Sequence, residues 1–189
     1  MIMATVKNYE PKYFDDVRQV CINTGPDSAA TDPKMRDFIL FTFCDYYCEQ
    51  EPENAFVLVD DNDVAQGYVF GATDFKTYIK KMKPYLAKVK KTGIRNYMDA
   101  IAEILGHAVY SHKYPAHLHI DINEPFRGNG NGSKMITTLT DHMKNDMGVK
   151  SIMLIVGSGN TRGINFYKKN GFKIIRVFKN TGTVMAKEL

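Results

Sequence analysis

Three side chains that can carry protons, His117, His119 and Asp121, alternate with the apolar Leu118, Ile120 and Ile122. A strand sends successive side chains to opposite faces, so this spacing puts both imidazoles and the carboxylate on one face. An imidazole, with an ordinary pKa of about 6.5, accepts a proton near neutral pH, whereas an aspartate at about 3.9 does so only when desolvated. A few residues on come Arg127, Gly128, Asn129, Gly130, Asn131, Gly132 and Ser133, with glycine at every other position. Apolar residues then recur at Met135, Ile136, Leu139, Met143 and Met147, the spacing of one helix face. A strand, a glycine loop and a helix start, in that order, make an anion site: glycine lets the backbone approach closely, and the unpaired N–H groups of the first turn point outward. Arg127 adds a positive charge beside it.

Two common phosphate loops do not fit. The dinucleotide pattern Gly-x-Gly-x-x-Gly places its third glycine on Ser133 or Met135, and the nucleotide-triphosphate loop needs Gly-Lys-Ser/Thr, where this chain has Gly132, Ser133, Lys134. Arg/Gln-x-x-Gly-x-Gly/Ala does fit, through Arg127, Gly130 and Gly132. Downstream, Asn160, Gly163, Phe166, Tyr167, Gly171 and Phe172 match Asn-x-x-Ala/Gly-x-x-Phe/Leu-Tyr-x-x-x-Gly-Phe. There Asn160 is a helix cap, and Gly171 stands where a helix stops before a strand. Two matches in order, about 30 residues apart, are far more specific than either alone. Together they resemble the GNAT superfamily of N-acetyltransferases. His119 to Ile122, taken with Asn165 to Gly171, is similar to the acetyltransferase-like domain of O-GlcNAcase enzymes and its stand-alone bacterial relatives. The sequence departs from the usual pattern at Asn131, where an apolar residue is common, and at Gly163, where alanine is usual.

The resemblance implies transfer of an acetyl group from acetyl-CoA to a primary amine of a small molecule or peptide by direct attack. It implies a diphosphate held by residues 128–133 with Arg127, and a pantetheine arm along Ile120 and Ile122. A free strand edge would expose those two residues, and the N–H near Ile122 would polarise the thioester carbonyl. Asn160 completes the cofactor-binding set. Tyr167 occupies the position of the general acid that protonates the leaving thiolate. The base is left open among His119, His117, Asp121 and a water. A non-catalytic acyl-CoA- or peptide-binding module is the alternative reading.

With 189 residues, 44% hydrophobic and 24% charged, the chain has the length and composition of one globular domain, here residues 1–189. The formal charge of +4 suits a phosphate-rich ligand, but the basic residues are scattered and no nucleic-acid recognition module is visible. No apolar run approaches a membrane span and no secretory signal is apparent, so a cytoplasmic protein is expected, with a homodimer left open. Cys21, Cys44 and Cys48 are an odd set without matching His or Cys spacing, so neither a disulfide framework nor a metal is expected.

The elements that must position these residues follow in order. A strand is expected at residues 3–8 and a helix at 11–24. A second helix begins with Asp32 as cap and Pro33 at its first position and runs to about Gln50. A hairpin over residues 56–72 turns at Asp60 to Asp63, with a bulge near Gly67. Residues 74–110 read as an inserted helix pair beside the acceptor side. Its first helix carries Phe75, Tyr78, Met82, Tyr85 and Val89 on one face, with Pro84 expected to kink or split it, and Ile94, Met98, Ile101, Leu105 and Val109 mark the second. The central strand, a helix, a strand at 149–156, a helix and a closing hairpin complete it. The fold class is α/β, with a mixed central sheet of about six to seven strands flanked by helices.

Overall fold

The computed structural model describes residues 4–179 and 181–189. Met3, the expected start of the first strand, and Asn180, in the expected last turn, lie outside the described residues. The elements are β1 (Ala4–Asn8), α1 (Phe14–Thr24), α2 (Ser28–Thr31), α3 (Pro33–Phe43), α4 (Asp45–Gln50), β2 (Ala55–Asp60) and β3 (Ala65–Ala72). Then come α5 (Phe75–Thr92), α6 (Ile94–Ala108), β4 (Ala116–Ile122), α7 (Asn131–Asn145), β5 (Ser151–Gly157), α8 (Thr161–Lys169), β6 (Lys173–Val177) and β7 (Gly182–Glu188). Among the described residues they build a seven-stranded mixed sheet in the order β1-β2-β3-β4-β5-β7-β6. All neighbours are antiparallel except β4 and β5.

Strand alternation sorts the core into two layers. Val57, Val59, Tyr68 and Phe70 face α1, α3, α4 and α5, while Phe56, Leu58, Val69, Leu118 and Ile122 face α7 through Met135, Ile136, Leu139 and Met143. Gly67 lies against β4, where a Cβ would stand 3.0 Å from the Asp121 carbonyl oxygen. The β2–β3 register shifts beside it, with Leu58 opposite Gly67 and Val59 opposite Ala65.

Three helical regions differ from expectation. Asp32 does cap α3, accepting from the Lys34 amide, but the single helix expected up to Gln50 breaks at Cys44 (φ −127°, ψ −68°). Asp45, Tyr46, Tyr47 and Cys48 are all buried; a straight helix buries one stripe, so four consecutive buried residues require a change of direction. Pro84 does not split α5, which runs unbroken with Tyr78, Met82, Tyr85, Leu86 and Val89 packed inward on both sides of it. Helix α6 forms where its apolar periodicity places it, yet it buries Ala100, Ile104 and His107 and leaves Ile94, Met98, Leu105 and the adjoining Val109 exposed.

Candidate active site

The parallel strands β4 and β5 pair only at Ala116 with Ile152 and His117 with Met153. Beyond that point they diverge, and residues 118–122 have one free edge. The Asn123 amide donates to the Gln66 carbonyl oxygen on the β3 side. Backbone alternation therefore turns the amides of Leu118, Ile120 and Ile122 toward the open edge. The Ile122 carbonyl oxygen, on that edge, accepts from Arg127 Nε at 2.7 Å, which anchors the guanidinium at the mouth of the opening.

The glycine loop follows directly. Gly128 (φ +97°), Asn129 (φ +51°) and Gly130 (φ +79°) all take left-handed backbone, the conformation that favours glycine and tolerates asparagine. The amides of Gly128, Asn129, Gly130, Gly132 and Ser133 have no hydrogen-bond partner among the described residues. Asn131 differs: its amide donates to the Gly128 carbonyl oxygen and its buried side chain donates to the Phe126 carbonyl oxygen. It shapes the loop rather than facing an anion. Gly132 is required for space, since a Cβ there would stand 2.9 Å from Phe166 Cε2. The loop thus packs on the helix that carries Tyr167.

Helix α8 begins at Asn160, whose Oδ1 accepts from the Gly163 amide at 2.8 Å. A Cβ at Gly163 would press on that cap at 2.8 Å, which gives a local reason for glycine there. Tyr167 is half-buried and packs edge-on against Phe166 and Phe172. Burial, then the nearby Asp121 carboxylate, push its phenol well above the ordinary value, so it stays protonated.

His117, His119 and Asp121 share a face, as their alternation requires, but not an environment. Asp121 Oδ2 accepts from Tyr68 Oη at 2.8 Å and lies 3.1 Å from His119 Nε2. Tyr68 stands directly opposite Asp121 in the β3–β4 register, and Phe70 opposite His119. In the neutral ring the Asp121 contact places the proton on Nε2 and leaves Nδ1 as acceptor. Burial disfavours charge on His119, but the Asp121 carboxylate outweighs it and raises the imidazole above its ordinary value. Both side chains remain about 30% exposed. His117 is buried behind them. Its Nε2 meets Tyr47 Oη at 2.9 Å, its Nδ1 has no partner among the described residues, and the His107 ring lies 4.7 Å away. Burial, then His107 and His119, hold it well below the ordinary imidazole value, so it is neutral.

Sequence reasoning missed Tyr68 and did not find the partners of the helix aromatics Tyr47 and Phe43; the Phe43 ring lies 5.3 Å from that of His119. Each reaches the site from a distant, largely apolar segment. Among the described residues no group of three or more His, Cys, Asp or Glu is placed to hold a metal ion. Among the described residues no helix is long and apolar enough to cross a membrane.

No curated protein sequence matches this chain. Among solved structures, SsHAT superimposes with a TM-score of 0.86 at 27% identity over 98% of each chain. The PaiA N-acetyltransferase of Thermoplasma acidophilum, solved with coenzyme A, gives a TM-score of 0.64 at 12% identity over all of both chains. Ard1 of Thermoplasma volcanium gives 0.60 at 19%, covering 98% of this chain and 97% of its own. The model of the acetyltransferase (GNAT) family matches residues 22–172. With that match spanning most of the sequence, and with a splayed sheet followed by an unsatisfied amide loop, the chain belongs to the GNAT family of acetyl-CoA-dependent acetyltransferases.

Proposed function

We propose that this protein is a cytoplasmic, single-domain N-acetyltransferase whose acceptor is the primary amine of a small molecule or peptide, attacking directly without an acyl-enzyme. The observation that carries this reading is the open edge of β4, which has the Asp121–His119 pair on its strand and Tyr167 close enough to feel Asp121. The free loop amides and the anchored Arg127 suit a diphosphate, and the open edge suits an amide-bearing arm, so acetyl-CoA fits these residues.

Bound acetyl-CoA supplies a thioester at whose carbonyl carbon a C–N bond forms as the C–S bond breaks. Gly128, Asn129, Gly130, Gly132 and Ser133 hold the diphosphate through their amides, with Arg127 beside them and Asn131 bracing the loop. The Ile120 and Ile122 amides orient the arm, and the Ile122 N–H stabilises charge developing on the carbonyl oxygen. His119 takes the amine proton on Nδ1. Asp121, held by Tyr68, orients the ring and stabilises the imidazolium. His117, kept neutral and fixed by Tyr47, supports the strand from behind. Tyr167 gives its proton to the departing sulfur, and Asn160 fixes the start of the helix that carries it.

Replacing the phenol tests this directly. Tyr167→Phe is expected to lower turnover by about a hundredfold or more, the usual contribution of a positioned acid. It should leave intact the stabilisation of about 2.7 kcal/mol expected at a hundredfold excess of acetyl-CoA over its dissociation constant. Unchanged turnover would remove Tyr167 from the chemistry, and no stabilisation of the wild type would remove acetyl-CoA.

A further inference from the structure

Helix α6 is apolar on two sides, and the fold covers one. Its inner side, Ala100, Ile104 and His107, packs into the core. Its outer side is a stripe of Ile94 (70% exposed), Met98 (58%), Leu105 (58%) and, one residue past the helix, Val109 (62%). Half-buried Ile101 fills the gap in the series. Steps of four, three and four residues from Ile94 to Leu105 are the spacing of a coiled-coil seam, narrower than the face a helix presents to a globular core. At 100° per residue, Arg95, Asp99 and Glu103 fall to one flank, so no charge interrupts the stripe.

We propose that this stripe is a homodimer interface, with α6 packed antiparallel against α6 of a second copy across a two-fold axis. The period asks for a helix as partner, and a two-fold contact supplies the same seam from the other side. Antiparallel pairing also sets the two helix dipoles in opposition. The exposed stripe amounts to on the order of 500 Å² of apolar surface, the size at which a patch on a monomer marks a contact site. Two stripes face to face, with their flanking side chains, reach the roughly 1,200 Å² at which specific interfaces begin. The other exposed apolar group, Ile174, Ile175, Val177 and Phe178, is a weaker candidate. It is interleaved with Lys173, Arg176 and Lys179, the pattern that guards an edge strand against pairing. The dimer would also brace the site from behind, because the inner side of α6 carries His107 against His117. None of this depends on the acetyl-transfer reading.

Light scattering on the full chain at micromolar concentration is expected to give twice the 21.5 kDa protomer mass. Met98→Glu combined with Leu105→Glu, both at exposed positions, should halve that mass and leave the far-ultraviolet circular dichroism unchanged. Ala102→Cys, near the midpoint of the stripe, should crosslink to its copy with a short bis-maleimide, since the native Cys21, Cys44 and Cys48 are buried. A monomeric wild type would overturn the proposal, as would a dimer that survives the double glutamate substitution. So would failure of Ala102→Cys to crosslink, or a dimer abolished instead by Val177→Glu.

Discussion

Gly132→Ala separates two reasons for glycine within one loop. A Cβ at Gly132 would lie 2.9 Å from Phe166 Cε2, 3.0 Å from Phe166 Cζ and 3.6 Å from Ile122 Cδ1. Carbon atoms pack at about 3.5–4.0 Å, so the ring or the helix start must retreat by roughly half an ångström or more. Overpacking of this kind costs about 1–3 kcal/mol. The obstacle is the far edge of a half-buried ring that can partly yield, so the expected loss is about 1 kcal/mol. The same retreat displaces the Gly132 and Ser133 amides, and coenzyme A affinity should fall about tenfold, equivalent to about 1.4 kcal/mol. At Gly128 and Gly130 a Cβ meets nothing within 4 Å, and the penalty there is the left-handed backbone, about 1–2 kcal/mol. The two causes part under a second substitution. Phe166→Leu removes the ring edge and should restore much of the stability and affinity lost in Gly132→Ala, while doing nothing for Gly130→Ala. Chemical denaturation and calorimetric titration with coenzyme A across the four proteins of the cycle give the coupling. An interaction energy within the roughly 0.3–0.5 kcal/mol expected of independent sites would refute the steric account.

Two further outcomes follow from the titrating groups. In the proposed role of base His119 has to be neutral, and Asp121 raises its pKa, so the acid limb of kcat/KM should lie above the ordinary imidazole range. Asp121→Asn should move that limb to lower pH on a reduced plateau; a pH–rate profile whose limb stays in place would uncouple the pair. Asp45, buried beside Arg18, has its carboxyl pushed up to about 6, by burial first and against the attraction of Arg18. The folded state therefore binds this proton more tightly than the unfolded state, and the group's contribution to stability falls as pH rises from about 4 to 6, by up to about 2–3 kcal/mol. Buried His107 and His117, with lowered values, contribute the opposite slope at similar pH. The readout is thus the difference from Asp45→Asn in urea denaturation at several pH values, and a difference that does not change with pH would exclude the assignment.

What the sequence disclosed was the chemistry contained in one segment. The loop glycines, the Asn160 cap and the alternation of His117, His119 and Asp121 are local rules, and each appears in place. What it withheld was set by partners distant in the chain. His117 and His119 are indistinguishable on a strand, and it takes Tyr47, 70 residues away, to seal one in while the other stays partly exposed. Tyr68 reaches Asp121 across the β3–β4 register, which pairs residues 53 apart in the chain with α5 and α6 between them. Helix α6 makes the same point differently, because its strongest apolar period faces outward. Periodicity says that a face is apolar, not that this fold covers it. A different residue does point to the packed surface: a Cβ at Gly106 would stand 2.7 Å from Ile155 Cδ1. Glycine inside a helix costs about 1 kcal/mol relative to alanine, so its presence there marks close approach to a neighbour. Gly106 lies well off the stripe of Ile94, Met98 and Leu105, and the contact it permits with β5 holds α6 in the orientation that leaves the stripe uncovered.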